Sequence, residues 1–230
     1  LLNGVPPARP TGMSLLDFAR GPAMQVAVLV LVVGVFWRVC GVLFLRRRVA
    51  HAAARNPFAV RLLGGAATIL TRTIPRRTFW PRTSAGVALS YTFHVGLLVI
   101  LLAGAPHILV IHELTGLIWP NLPKGLVVIA SGLTLAALLA LLARRLTHPV
   151  LRLLSTADDY LSWLLVFLPV FTGILLSGET GGYGTLLALH LLSVEALMIW
   201  LPFGKLMHAG LVFAGRGVMG FNFSRKGAAT

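Results

Sequence analysis

Residues 185–211 read TLLALHLLSVEALMIWLPFGKLMHAGL, with one acid, Glu195, one base, Lys205, and two histidines, His190 and His208. A hydrocarbon core about 30 Å thick needs about 20 apolar residues of helix to cross it. The stretch is longer than that and too apolar for a core helix of a soluble protein. It reads as a membrane span. Four more segments meet the same test, at 24–45, 84–108, 125–143 and 160–177. Pro106 near the end of the second and Pro202 inside the fifth are expected to kink or open those helices. The second and fifth exceed what a bilayer requires, so tilt or protrusion is expected.

Composition points the same way. Of 230 residues, 57% are hydrophobic and 11% charged, with a mean hydropathy of +0.87; soluble domains run at roughly 45–50% and about 25%. The formal net charge is +14. A solvated basic domain that binds nucleic acid is excluded by the bulk hydrophobicity. The charge is topology information instead. Sixteen of the 20 Lys and Arg residues fall in the connection 46–83, the connection after the third span and the C-terminal end. Only Arg9, Arg20 and Lys124 fall on the other side, and Arg38 lies within the first span. By the positive-inside rule the N-terminus is outside and the C-terminus cytoplasmic. The expected fold is all-α, a single bundle of five transmembrane helices without a separate extramembrane domain. The stretch ahead of the first span lacks the basic, apolar and cleavage-site succession of a signal peptide. Residues 49–74 mix arginines and apolar residues at helical spacing, which suits an amphipathic helix on the cytoplasmic surface, as a connector or as a docking platform.

Ionisable residues inside a membrane are rare and functional by default. His94 and His107 fall on the second span, His190 and His208 on the fifth. An 18-residue interval is five turns, so His190 and His208 share a face of an unbroken helix, about 27 Å apart. The two spans run in opposite directions, which brings His94 level with His208 and His107 level with His190. Two imidazoles at each of two depths suit two stacked haems, each iron held from both sides. The interval between His94 and His107 leaves them on different faces of an ideal helix. His112 repeats the five-turn interval from His94 and is the rival ligand, but it lies past the apolar segment. His51 and His148 sit among arginines and read as surface residues. Cys40 is the only cysteine, so the chain has no CxxCH for covalent haem and no cluster for iron–sulfur or zinc.

The run Phe93-His94-Val95-Gly96, together with His190 and His208 on a final span, resembles the gamma subunit of respiratory nitrate reductase. That superfamily includes the membrane cytochromes of heterodisulfide-reductase and dissimilatory sulfite-reduction complexes. The resemblance covers most of the chain. It implies a di-haem b cytochrome of a bacterial or archaeal plasma membrane, passing electrons between the quinone pool and a cytoplasmic iron–sulfur or other redox subunit. It assigns His94 and His208 to the inner haem and His107 and His190 to the outer. The nitrate reductase interval on the second span falls on Gly104, which cannot ligate, so His107 is the nearest candidate. The resemblance also places a quinol-contacting lysine near Lys124. Read from the residues, Lys124 is equally an interfacial anchor. Glu195 is the one acid well inside a span, and Glu113 and Glu179 lie in outer connections. Asp158 and Asp159 complement the dipole at the start of the fourth span, and Arg82, Arg144 and Arg145 are candidates for haem propionates. A transporter whose histidines handle protons or metal is the competing reading; broken helices or internal pseudo-symmetry around a midplane site would mark it.

Overall fold

The computed structural model describes residues 13–44, 53–73, 78, 80–178 and 182–228. Its elements are helices. Five of them are long and apolar enough to cross a membrane, spanning Leu15–Val42, Thr83–Ala103, Lys124–Thr147, Ala157–Ser177 and Tyr183–Trp200. The protein is an all-helical, multi-pass membrane bundle.

The first span begins with a short helix, α1 (Leu15–Phe18), capped by Ser14, whose side chain accepts from Asp17 N–H while Asp17 bonds back to the cap. A π-turn over Ala19–Ala23, with Pro22 inside it, leads into α2 (Met24–Phe44). Next come α3 (Phe58–Thr71), α4 (Trp80–Ala103), α5 (Ala105–Thr115), α6 (Lys124–Thr147), α7 (Pro149–Leu154), α8 (Ala157–Ser177), α9 (Tyr183–Trp200) and α10 (His208–Arg225).

Close helix contact here depends on small residues, as membrane bundles require. A Cβ on Gly96 would lie 2.0 Å from Thr134 Oγ1, so α4 meets α6 through the last residue of the Phe93–Gly96 run. Thr134 is itself fully buried, and its hydroxyl donates to Ala130 O at 2.7 Å. Leu138, Val166 and Val170 form the core, packed by Phe93, Leu97, Ile100, Trp163 and Leu197. Trp163 Nε1 donates to Leu138 O at 2.8 Å, which ties α8 to α6.

Both helices open next to the prolines expected to disturb them, and their spans end earlier than the apolar runs do. The second span ends at Ala103, short of the expected 84–108: Gly104 leaves the helix with ψ 125°, and α5 restarts at Ala105 with Pro106 in its first turn. The fifth does not continue over 185–211. It ends at Trp200, turns through Leu201–Gly204 and a 3-10 turn at Lys205–Met207, and restarts as α10 at His208. Pro202 has no N–H for the helical ladder. The chain then doubles back across the Trp200 indole, where a Cβ on Gly204 would lie 2.3 Å from Nε1.

Of the amphipathic segment expected over 49–74, Phe58–Thr71 forms α3, and residues 49–52 and 74 lie outside the described residues. This helix lies against α10 through glycines: a Cβ on Gly65 would be 2.9 Å from Gly217 O, and one on Gly220 would be 2.2 Å from Thr68 Oγ1. Asn56 Nδ2 donates to Ser224 O at 2.7 Å, and the Arg61 guanidinium lies over the rings of Phe58 and Phe221. The connection thus supplies one helix of a packed pair, α3 against the C-terminal α10.

Candidate functional site

The histidines meet in pairs. His94 on α4 faces His208 at the start of α10, with ring centroids 6.2 Å apart and planes at 76°. His107 on α5 faces His190 on α9 at 6.4 Å and 41°. The rings of His94 and His208 are exposed, and those of His107 and His190 are half-buried. His94 lies nine residues before the end of α4, about 14 Å of helical rise, and His107 lies beyond the break. The pairs therefore occupy two depths of the bundle.

Each ring is held in the same way. His94 Nδ1 donates to Ser90 O at 2.7 Å, His107 Nδ1 to Ile100 O at 2.8 Å, and His208 Nδ1 to Lys205 O at 2.8 Å. A carbonyl only accepts, so these Nδ1 atoms carry the hydrogen. His190 Nδ1 lies 3.0 Å from Thr172 Oγ1. The Thr172 hydroxyl already donates to Leu168 O at 2.7 Å, so its oxygen accepts from His190. In its neutral form each of these imidazoles then carries its lone pair on Nε2. This is the outer hydrogen bonding that orients a metal-ligating histidine.

The donor set and spacing fit iron held between two imidazoles. Nitrogen sits about 2 Å from a metal it ligates, so rings opposed across one ion have centroids about 6 Å apart. Among the described residues no group of three or more His, Cys, Asp or Glu is placed to share a metal ion. Two protein ligands per centre suit a group that supplies its own equatorial nitrogens, as a porphyrin does.

The turn that delivers His208 is pinned by acids. Asp159 bonds to the Thr156 N–H and hydroxyl at the head of α8, and pairs with Arg145 at 3.1 Å and with the Lys205 ammonium. Asp158 accepts from Ser162 at 2.8 Å. The helix-dipole reading of these aspartates holds, and Asp159 additionally fixes Lys205, whose carbonyl orients His208. Half-exposed ion pairs are worth about 0.5–1 kcal/mol, so Asp159→Ala should lower the melting temperature only slightly. Its larger effect should fall on the placement of His208, read in haem-reconstituted protein as an altered low-spin EPR signal that Asp159→Glu restores. An unchanged signal would limit Asp159 to capping.

His112 is exposed on α5, beyond His107, and makes no ring contact with another described histidine. Lys124 is the first residue of α6 and is exposed. The loop before it folds back on the α4–α5 break: Leu122 N donates to Ala103 O at 2.9 Å and Trp119 Nε1 to Leu102 O. Lys124 thus stands near the level of that break. Arg145 is engaged by Asp159 and Ser155, and Arg144 lies against Gly86 of α4. His148 caps α7, and Glu113 is exposed. His51, Glu179 and the side chain of Arg82 lie outside the described residues. Thr172 went unnoticed in the sequence; its only signal there is a hydroxyl on the span that precedes the one carrying His190.

No family model matches the chain. It is 29% identical over 219 residues to a protein of Nitratidesulfovibrio vulgaris (strain Hildenborough), an alignment covering 93% of this chain and 96% of the relative. That relative's name, Protein, states no activity.

Proposed function

We propose that the chain is a di-haem b membrane cytochrome that carries electrons between membrane quinone and a redox protein at its arginine-rich, cytoplasmic end. One observation carries the reading. Four histidines form two pairs at the spacing of ligands to a shared iron, His94 and His190 within their spans and His107 and His208 just past the ends of theirs, each with Nδ1 engaged. Haem bound there supplies reversible one-electron transfer. The residues supply the rest: His94 and His208 hold the inner site, His107 and His190 the outer.

The chain has one cysteine and thus no iron–sulfur relay of its own. Its electron partner is therefore another protein, an iron–sulfur or comparable redox subunit, and the cluster of arginines would attract an acidic surface. Quinol or quinone exchange is assigned to the outer side, where Lys124 stands near the α4–α5 break. The membrane is the plasma membrane of a bacterial or archaeal cell, with the C-terminus inside.

The transporter reading has one feature in its favour, the breaks at Gly104 and Leu201–Gly204. Paired broken helices mark a binding site when they meet near the midplane. Each of these two follows the C-terminal end of its span, and the crossed histidine pairing puts them at opposite faces of the bundle, each shortly before one of the paired histidines. The full chain purified from haem-replete cells should be red and give about two non-covalent haems per polypeptide in a pyridine haemochrome assay. A colourless preparation would overturn the reading.

A further inference from the structure

The side of α9 turned away from the histidine pairs carries a separate site. Glu195 lies well within α9 and its apolar span. It is 3% exposed, and neither carboxyl oxygen has a hydrogen-bond partner among the described residues. Glu195 lines a cleft of about 370 Å³ between α9 and the start of the first span, together with Phe18, Pro22, Val26, Leu192 and Ile199. The first span meets the turn after α9 at Gly34, where a Cβ would lie 2.6 Å from Pro202 Cγ. Nearer the N-terminus the π-turn at Ala19–Ala23 alters the helix surface, and π-turns recur at functional sites.

An isolated carboxylate inside hydrocarbon is expensive, so this group is best carried as the uncharged acid. That form has one O–H to donate and a carbonyl to accept with. The other residues lining the cleft are apolar, and the helices around it are membrane spans. Its occupant is therefore lipid-soluble, ring-sized and equipped with an oxygen that meets Glu195.

We propose that this cleft binds a quinone-class ligand, with Glu195 donating a hydrogen bond to a ring carbonyl. The choice of quinone rests on the cytochrome reading; the cleft and its lone acid do not. The site is distinct from Lys124. His190 and Glu195 are little more than one turn apart on the same helix, so an occupant would lie about one helix diameter from the outer pair.

Titration of the haem-loaded full chain with menadione, followed by isothermal calorimetry in detergent and again in phospholipid nanodiscs, tests this. Menadione should bind in both. Glu195→Leu should weaken binding about tenfold, the worth of one well-made hydrogen bond, and Glu195→Gln, which keeps a donor, should recover most of it. Val26→Trp should block the cleft. No binding by the native chain, or native-like binding by both Glu195→Leu and Val26→Trp, overturns the site. Binding in detergent that disappears in nanodiscs assigns the cleft to a phospholipid and also overturns it. Haem content measured on the same samples tells a failure of the cleft from a failure of the cytochrome reading.

Discussion

Replacing His94 or His208 with alanine should each reduce the chain from two haems to about one and remove the same spectral component. The two residues come from different helices, α4 and α10, and have in common only a 6.2 Å ring contact. Substitutions at His107 and His190 should remove the other component. A haem bound at either pair would be held by two histidines, so a variant lacking one of them would keep a single protein ligand, and loss of the group is the expected outcome. The double variant His94→Ala/His208→Ala should match either single one, because both ligands serve one centre. Two variants that remove different components, or unchanged haem content in both, would refute the pairing. His112→Ala should retain both haems; loss of the outer one would return His112 to the position of ligand.

The five spans were legible because length and hydropathy alone decide them. Their ends were not. Hydropathy carries on past Trp200 through Leu201, Pro202 and Phe203, so Pro202 announced a kink but the apolar run concealed that the span ends there. The interval of five turns between His190 and His208 suggested a shared face of one helix, and that helix does not exist. The pairing arises instead because α10 begins at His208, with Lys205 anchored to Asp159 and its carbonyl set against His208 Nδ1. A contact between residues so far apart in the chain has no local periodicity, so sequence showed only two aspartates at a helix start. The partners of the imidazoles were equally hidden, since three of the four are backbone carbonyls, which every residue possesses. Glu195 was visible as a lone acid, but nothing in the sequence showed that it lines a cleft beside the first span.

Gly104→Val should abolish the outer histidine pair while leaving His94 and His208 in place. On an unbroken helix His107 would point to a different face from His94. The break removes that conflict. Gly104 leaves the helix and caps α5, whose His107 and Ile108 N–H groups both donate to Gly104 O at 3.1 Å. Pro106, within the first turn of α5, needs no hydrogen-bond acceptor there. Ile100 O then accepts twice, from Gly104 N at 3.2 Å and from His107 Nδ1 at 2.8 Å. A Cβ on Gly104 would sit 2.7 Å from that oxygen and 3.2 Å from His107 Nδ1, so a larger side chain strikes both members of the contact that orients the ring. The expected result is about one haem per chain, with the spectrum of the His94–His208 site unchanged. Pro106→Ala restores an N–H and lets α4 and α5 approach continuity without adding bulk beside His107. It should therefore perturb the outer signal less than Gly104→Val does. If Gly104→Val retains both haems with native spectra, the break does not position His107, and the outer ligand must be reached by another route.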